Sequence, residues 1–273
     1  MAAARYHDIF PTARMPSRFH LDRSKSPQGG EPVEADIAQL REANLAAVYS
    51  APPSSGNFYD FLRVGPRRVL FALLESADQS EDNPAVMAAV ETTFREAGPR
   101  VFRKEDLNLA EAMIELCLEL NRTVLEAGKA RSCPGFAGCY EETLSTVWYV
   151  NAGQAAALVR DTTGITELPA TGLPLGLFSH ATCDASAVVL EPGAALLLAS
   201  RGIVEAKSDG QQFGLEAVKT ALRETTATDA KEICLSILAR LREFLGRPPE
   251  PTAVTALALA RSTAVHVDSR ASR

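Results

Sequence analysis

The chain has 273 residues, of which 46% are hydrophobic and 23% are charged. These values are typical of a folded globular protein, and they exclude wholesale disorder, a collagen-like repeat and a disulfide-rich scaffold. The formal net charge of −6 argues against a protein that binds nucleic acid along its whole surface. No apolar run approaches the roughly 20 residues that a membrane-spanning helix needs, so we expect no membrane segment.

The cysteines predict the compartment. There are five, an odd number, and none forms a Cys-x-x-Cys pair. This pattern favours free thiols in a reducing cytoplasm over a disulfide framework or a zinc site. The N-terminal segment also lacks the apolar core of a secretory signal, so we predict a cytoplasmic protein. Cys133 and Cys139 flank a turn, where a redox role stands as an alternative to two buried thiols.

Three regions are expected along the chain. Residues 1–35 are rich in Arg, Ser, Pro and Gly and predict a flexible N-terminal arm. That arm is either a solvated tail or a docking segment for a partner. Residues 36–262 predict one domain, and residues 263–273 predict a C-terminal tail.

The first half of the domain predicts three strands followed by two helices. The strands span 44–51, 58–64 and 68–75, separated by turns rich in Pro, Ser and Gly. Asn83 followed by a proline predicts the start of a helix that ends near residue 97, and Asn108 caps a second helix that continues to about 127. The apolar side of the first helix faces either the core or a partner, and the core is the expectation.

The second half predicts more strands and a second helix pair. The strands span 136–142, 144–151, 156–160, 183–190, 194–200 and 253–260, and the helices span 213–224 and 229–245. Blocks of strands interrupted by pairs of helices do not follow the alternation of a parallel sheet. The pattern therefore predicts an α+β fold in which antiparallel sheets pack between helical layers.

The residues alone give one candidate site. The chain has no phosphate-binding loop, no His-Glu-x-x-His and no nucleophile elbow, and its four histidines lie far apart. An acidic group follows directly on the third predicted strand and comprises Glu75, Asp78, Glu81 and Asp82. Carboxylates at the end of a strand can hold a divalent cation, and a solvated acidic loop is the alternative.

A series of short motifs, in order along residues 44–262, resembles one family. The motifs are 56–61 (Gly-Asn-Phe-Tyr-Asp-Phe), 68–73 (Arg-Val-Leu-Phe-Ala-Leu), 149–154 (Tyr-Val-Asn-Ala-Gly-Gln), 172–176 (Gly-Leu-Pro-Leu-Gly), 190–193 (Leu-Glu-Pro-Gly), 202–206 (Gly-Ile-Val-Glu-Ala) and 213–214 (Phe-Gly). They resemble the SpoIIE-like branch of the phosphatase 2C-like, metal-dependent serine/threonine protein phosphatases. The resemblance implies a four-layer αββα sandwich of two antiparallel sheets flanked by helices. It also implies two Mg²⁺ or Mn²⁺ ions, whose bound water attacks phosphoserine or phosphothreonine.

The chain departs from the family pattern at the carboxylates. The family's metal-ligand aspartates fall on Asn57, Glu75, Arg201 and the pair Thr252 and Ala253. Only Glu75 keeps a carboxylate, and Arg201 reverses the charge. The neighbours of the cleft that the resemblance implies are Gly56, Asp60, Asp78 and Gly202.

The charge of Arg201 decides between two functions. A guanidinium about 4 Å from a divalent ion costs about 8 kcal/mol at an effective dielectric constant near 20. We therefore expect no cofactor and a catalytically degenerate phosphatase domain that binds proteins. The expected partner is a phosphoprotein of the anti-sigma-factor antagonist type, in a bacterial partner-switching circuit, or a homologous phosphatase. The alternative is an active Mn²⁺- or Mg²⁺-dependent protein phosphatase whose rearranged metal site uses Glu75, Asp78 and Asp82.

The same mapping predicts one contact. Arg201 and Glu75 would come from strand ends that converge in the cleft, where a lone buried charge is costly. We expect the Arg201 guanidinium to pair with Glu75, or failing that with Asp78, and Asn57 to form a hydrogen bond beside them.

Overall fold

The computed structural model describes residues 33–35, 40–50, 56–76, 83–103, 107–127, 132–246 and 253–263. Within these residues the strands are β1 (Val33–Ala35), β2 (Ala43–Ser50), β3 (Asn57–Gly65), β4 (Arg68–Glu75), β5 (Gly135–Glu141), β6 (Thr146–Ala152), β7 (Ala156–Arg160), β8 (Ile165–Glu167), β9 (Ser186–Val189), β10 (Ala195–Ala199), β11 (Lys207–Ser208), β12 (Gln211–Gln212) and β13 (Val254–Arg261). The helices are α1 (Asn83–Phe102), α2 (Leu109–Glu126), α3 (Arg201–Val204), α4 (Gly214–Glu224) and α5 (Ala230–Leu245).

Two antiparallel sheets form the centre of the molecule. One has six strands in the order β1-β2-β13-β10-β7-β8, and the other has five in the order β3-β4-β5-β6-β9. β11 and β12 form a separate two-stranded hairpin. The α+β class and the four-layer αββα sandwich predicted from the sequence are confirmed.

Strand β4 shows how the layers pack. Leu70, Ala72 and Leu74 point to one face and join a buried cluster with residues of α1 and α2. The alternate residues of β4 point to the other face, where they pack between the two sheets against strands such as β13 and β10. A third cluster covers the outer face of the six-stranded sheet with residues of α4 and α5. Because side chains alternate between the two faces of a strand, the apolar strand β4 contributes to two cores, one under α1 and α2 and one between the sheets.

Helix α1 is longer than predicted. The sequence predicts an end near residue 97, yet the helix continues through Gly98 and Pro99 to Phe102. A proline inside a helix removes one backbone hydrogen bond. Val101 and Phe102 are fully buried in the core under α1 and α2, and their burial offsets that loss.

The apolar side of α1 faces the core, as expected. Met87, Val90 and Phe94 are all buried. The Phe94 ring meets the ring of Phe58 on β3 edge-on, with 5.6 Å between the ring centroids. Helix α1 is therefore packed on the five-stranded sheet by the same side chains that a partner would have needed.

Several short elements differ from the prediction. The last residues of the predicted arm form β1, which pairs with β2 at the edge of the six-stranded sheet. The strand predicted over 183–190 is shorter, at Ser186–Val189, and the sequence predicted no element over β8 or α3. In the described part of the chain, no helix is long and apolar enough to cross a membrane.

Candidate functional site

The candidate site lies where β3 begins and β4 ends. These strands are an antiparallel pair, so Asn57, the first residue of β3, lies opposite Glu75, the last residue of β4. Next to this pair the Ser76 N–H donates to the Gly56 carbonyl at 2.7 Å. A Cβ atom on Gly56 would lie 2.8 Å from the Cβ of Ser76, so this close approach of the two chains requires glycine.

The carboxylate of Glu75 is buried and held by two protein donors. It is 3% exposed. The Arg201 backbone N–H donates to Oε2 at 2.8 Å and to Oε1 at 3.1 Å, and the side-chain amide of Gln154 donates to Oε1 at 3.0 Å. Burial raises the pKa of Glu75 to about 7, while the Arg201 N–H, the Gln154 amide and the Arg201 charge act in the opposite direction. The protein thus binds this carboxylate with neutral donors and leaves it easy to protonate.

Arg201 approaches Glu75 through its backbone. It is the first residue of α3, one residue beyond the end of β10, and an N–H at a helix start has no partner within the helix. Its guanidinium instead pairs with Glu205, with Nε 3.1 Å from Oε1 and Nη2 3.2 Å from Oε2. The predicted meeting of Arg201 and Glu75 therefore occurs, but the guanidinium contact is corrected to a backbone one. The alternative partner, Asp78, lies outside the described residues.

Asn57 connects the site to β13. Its Nδ2 donates to the Ala253 carbonyl at 3.5 Å and to the Thr255 hydroxyl at 3.4 Å, both near the limit for a hydrogen bond. Ser200 completes the connection from the other side, because its hydroxyl accepts the Thr255 N–H at 2.9 Å. The structure thus brings together Asn57, Glu75, Arg201 and Ala253 from four places in the chain. Thr252 lies outside the described residues.

Gln154 is a site residue that sequence reasoning missed. Its Nε2 donates both to Glu75 and, at 2.8 Å, to the Ala199 carbonyl. Its backbone N–H donates to the Asn151 side chain at 2.8 Å, which fixes the turn after β6. Its Oε1 atom is buried and accepts no hydrogen bond from the described residues. The available signal was the motif at 149–154, in which glutamine replaces the histidine usual in the resembled family.

The remaining predicted residues divide between the site and other places. Gly202 follows Arg201 in α3 and belongs to the site. Asp60 was predicted as a neighbour of the cleft, but it lies on the face of β3 that packs against α1. There its carboxylate pairs with the Nε of Arg95 at 2.8 Å. Asp60 is three positions after Asn57, and an odd step along a strand places two side chains on opposite faces. Asp78 and Asp82 lie outside the described residues.

The donor set limits the chemistry of the site. Within the ranges that the structure describes, no group of three or more His, Cys, Asp or Glu side chains could hold a metal ion. Glu75 is the carboxylate at the meeting point, and both of its oxygens already accept N–H groups. Glu205, a second carboxylate near this point among the described residues, pairs with the Arg201 guanidinium. A cation at Glu75 would therefore have to displace N–H donors that this carboxylate already accepts.

Comparison with known proteins agrees on the fold and the family. The family model "Stage II sporulation protein E (SpoIIE)" matches residues 66–259. The RsbU and RsbW domains of a Mycobacterium tuberculosis protein are 20% identical, with a TM-score of 0.68, over 85% of this chain and 64% of that one. The SiaA-PP2C domain of Pseudomonas aeruginosa is 15% identical, with a TM-score of 0.65, over 79% of this chain and 84% of that one.

A third structure is similar and contains metal. The catalytic domain of the serine/threonine protein phosphatase PstP, in complex with two manganese ions, is 13% identical with a TM-score of 0.55, over 81% of this chain and 99% of that one. The chain therefore spans about two thirds of the mycobacterial structure and nearly all of the PstP domain. A search of curated protein sequences gave no match.

Proposed function

Because this chain belongs to the SpoIIE family of phosphatase 2C-type domains, we propose that it is a catalytically degenerate member that acts as a protein-binding module. The observation that carries the proposal is the state of the Glu75 carboxylate. Both of its oxygens accept protein N–H groups at a position where the family resemblance implies a metal ligand. We infer that this domain regulates by binding in place of hydrolysis.

The chemistry of the donor set supports this proposal. Mg²⁺ and Mn²⁺ prefer several anionic oxygen ligands. At the positions that the resemblance assigns to metal ligands, the chain offers an amide, one carboxylate, an arginine, a threonine and an alanine: Asn57, Glu75, Arg201, Thr252 and Ala253. These residues do not fit a pair of divalent ions.

The proposed partner is a phosphorylated regulator of the anti-sigma-factor antagonist type, or a homologous active phosphatase. The mycobacterial structure with a similar fold contains an RsbU domain together with an RsbW domain, which supports a partner-switching setting. A degenerate domain in such a circuit would hold a phosphoprotein without dephosphorylating it. The proposal places the protein in a bacterial cytoplasm.

The family also favours the alternative function. Members of this fold such as PstP bind two manganese ions, so an active Mn²⁺- or Mg²⁺-dependent protein phosphatase is the second candidate. Its metal site would combine Glu75 with Asp78 and Asp82 from the segment after β4. Under this alternative, metal would have to displace the Arg201 and Gln154 donors from Glu75.

A metal-dependent phosphatase assay on a phosphoserine peptide separates the two functions. We expect no turnover above that of the buffer with Mn²⁺ or Mg²⁺, for the wild type and for Glu75→Ala alike. Metal-stimulated turnover in the wild type that is lost in Glu75→Ala would overturn the proposal and establish the alternative.

A second experiment tests whether the site is the vacated metal site. The double variant Asn57→Asp/Arg201→Asp restores two carboxylates beside Glu75, so we expect it to bind Mn²⁺ more tightly than the wild type in calorimetry. Arg223→Asp, at an exposed arginine of α4, makes the same change of charge as Arg201→Asp and serves as control. Equal Mn²⁺ affinity of the double variant and the control would show that these residues do not form the metal position.

A further inference from the structure

Two of the five free thiols of the chain lie in contact. Cys117 is in the middle of α2, and Cys183 lies in the segment 172–183 between β8 and β9. Cys183 packs against the buried cluster of which Cys117 is a member, and the Cys117 S–H donates a hydrogen bond to the Cys183 sulfur. Cys183 also forms an isolated antiparallel bridge with Gly172, which closes the segment at its base. The fold therefore brings together two cysteines that are distant in the sequence.

Polar contacts also hold the segment 172–183 on α2. Asn121 is buried one turn after Cys117 on this helix. Its Nδ2 donates to the Phe178 carbonyl at 3.0 Å, and its Oδ1 accepts the Gly176 N–H at 2.8 Å. The segment is thus held against the helix by contacts that involve neither thiol.

The two thiols differ in exposure and in acidity. Cys117 is 5% exposed, whereas Cys183 is half-buried. The hydrogen bond between them raises the pKa of Cys117 and lowers the pKa of Cys183, because Cys117 retains the shared proton. Burial adds to the rise at Cys117, while burial and the charge of Asp184 oppose the fall at Cys183. Since the thiolate is the nucleophile, Cys183 is the reactive member of the pair.

The other three thiols are buried. Burial raises the pKa of Cys133 and of Cys139 to about 12. The Cys234 thiol donates to the Ala46 carbonyl at 3.7 Å, in the core under α4 and α5. Buried thiols with raised pKa values are poor nucleophiles. The reactive thiol chemistry of the chain is therefore concentrated at the pair on α2.

We propose that Cys117 and Cys183 form an oxidation site, at which hydrogen peroxide joins the two thiols in a reversible disulfide. The Cys183 thiolate attacks one peroxide oxygen, so that an S–O bond forms, the O–O bond breaks and the other oxygen leaves as water once it takes a proton. The Cys117 sulfur then attacks the Cys183 sulfenic acid. An S–S bond forms, the S–O bond breaks, and the hydroxyl leaves with the Cys117 proton as a second water. The two sulfurs together lose two electrons, and the peroxide gains them.

The disulfide would attach the segment 172–183 covalently to α2. This segment carries apolar side chains at the surface, since Leu173, Leu177 and Phe178 are each at least 40% exposed. Oxidation would therefore fix the position of an exposed apolar segment, and a thiol reductant would release it. The inference rests on the thiol pair and is independent of the function proposed for the Glu75 site.

A count of free thiols in the full chain tests the site. The folded protein is treated with an about tenfold molar excess of hydrogen peroxide, quenched with catalase, and titrated for thiols in denaturant. We expect the count to fall from five to three and to return to five with dithiothreitol. Mass spectrometry of the unreduced digest should show one linked peptide pair, joined through Cys117 and Cys183 and lacking two hydrogens.

Three variants assign the roles of the two sulfurs. Cys117→Ala should leave a sulfenic acid on Cys183 that dimedone traps, and Cys183→Ser should keep all of its remaining thiols. Cys139→Ala removes another buried thiol of the same core and should form the same link as the wild type.

The proposal is overturned if the folded wild type keeps all five thiols, or if its disulfide joins any other pair of cysteines. Equal yield of the Cys117–Cys183 link in the urea-unfolded chain would also overturn it, because the fold would then contribute nothing to the reaction.

Discussion

The Glu75 carboxyl makes the stability of the fold depend on pH. Its pKa is about 7 in the folded protein against an ordinary value of 4.5, because burial penalises the charged form. The folded state therefore holds this proton more tightly than the unfolded chain does. The stabilisation is fully present below about pH 4.5 and is lost as the pH rises to about 7, by an amount on the order of 3 kcal/mol.

Urea unfolding in metal-free buffer measures this contribution. We expect the free energy of unfolding of the wild type to fall relative to that of Glu75→Gln between pH 4.5 and pH 8, since glutamine cannot ionise. Glu191→Gln replaces an exposed glutamate and controls for the change of side chain. Parallel pH profiles for the wild type and Glu75→Gln would contradict a buried carboxyl with a raised pKa.

The contact between Arg201 and Glu75 can be tested by proline. Arg201 is the first residue of α3, a position where proline fits, and Ser200 before it has the extended conformation that a following proline requires. Arg201→Pro removes the N–H that Glu75 accepts, so we expect a loss of about 1–3 kcal/mol in the free energy of unfolding. The loss should be larger at pH 8 than at pH 5, because the ionised carboxylate needs the donor more.

Arg201→Ala is the matched control for the proline variant. It removes the same guanidinium but keeps the N–H, and the lost i,i+4 pair with Glu205 is partly exposed, so its cost should stay below about 0.5 kcal/mol. Equal destabilisation by proline and alanine would mean that the guanidinium, and not the backbone, supports Glu75.

At the scale of elements, the ion pair between Arg95 and Asp60 links α1 to β3. Asp60 is 4% exposed, and burial raises its pKa while Arg95 on α1 lowers it. Arg95→Ala should lower the free energy of unfolding by about 1–3 kcal/mol, because it leaves a buried carboxylate without its cation. Asp60→Asn made in the Arg95→Ala background should recover part of this loss. Additive effects of the two substitutions in a double-mutant cycle would mean that the pair does not couple the helix to the strand.

Elements defined by their own residues were predictable. Strand β4 occupies the predicted 68–75, and Asn108 caps α2 by accepting the N–H groups of Ala110 and Glu111. Alternation and capping are local signals. By contrast, β8 has three residues that are ordered by pairing with β7, and the four residues of α3 are too few for a helical period. These elements depend on tertiary contacts that local patterns do not encode.

The candidate site was predictable only in part. Glu75 and Arg201 are 126 residues apart, and only the family resemblance suggested that they meet. Two carboxylates, Glu75 and Glu205, compete for the Arg201 guanidinium. Glu205 is four residues after Arg201, and the long, flexible arginine side chain carries the guanidinium to it. Gln154 was missed because, in the sequence, a polar residue after a strand looks like an ordinary turn residue. Its contact with Glu75, 79 residues away, becomes visible only in the folded structure.

At the scale of the whole molecule, the six-stranded sheet depends on β13. This strand lies between β2 and β10 and pairs with both along its length. A chain ending at residue 250 lacks it, so we expect loss of the cooperative urea transition monitored by circular dichroism, whereas a chain ending at residue 263 should unfold like the full chain. A cooperative transition of unchanged midpoint in the shorter chain would contradict this dependence.

The position of β13 also has a consequence for synthesis on the ribosome. Strands β3 to β6 pair with their neighbours in chain order, so the five-stranded sheet and its helices can form while translation continues. β2 cannot form its ladder with β13 at that stage, because β13 emerges from the ribosome roughly 200 residues later. During that interval the nascent chain carries a half-built sandwich whose apolar inner face lacks its opposing layer. We expect ribosome-stalled chains of increasing length to remain sensitive to protease around residues 43–50 until β13 has emerged.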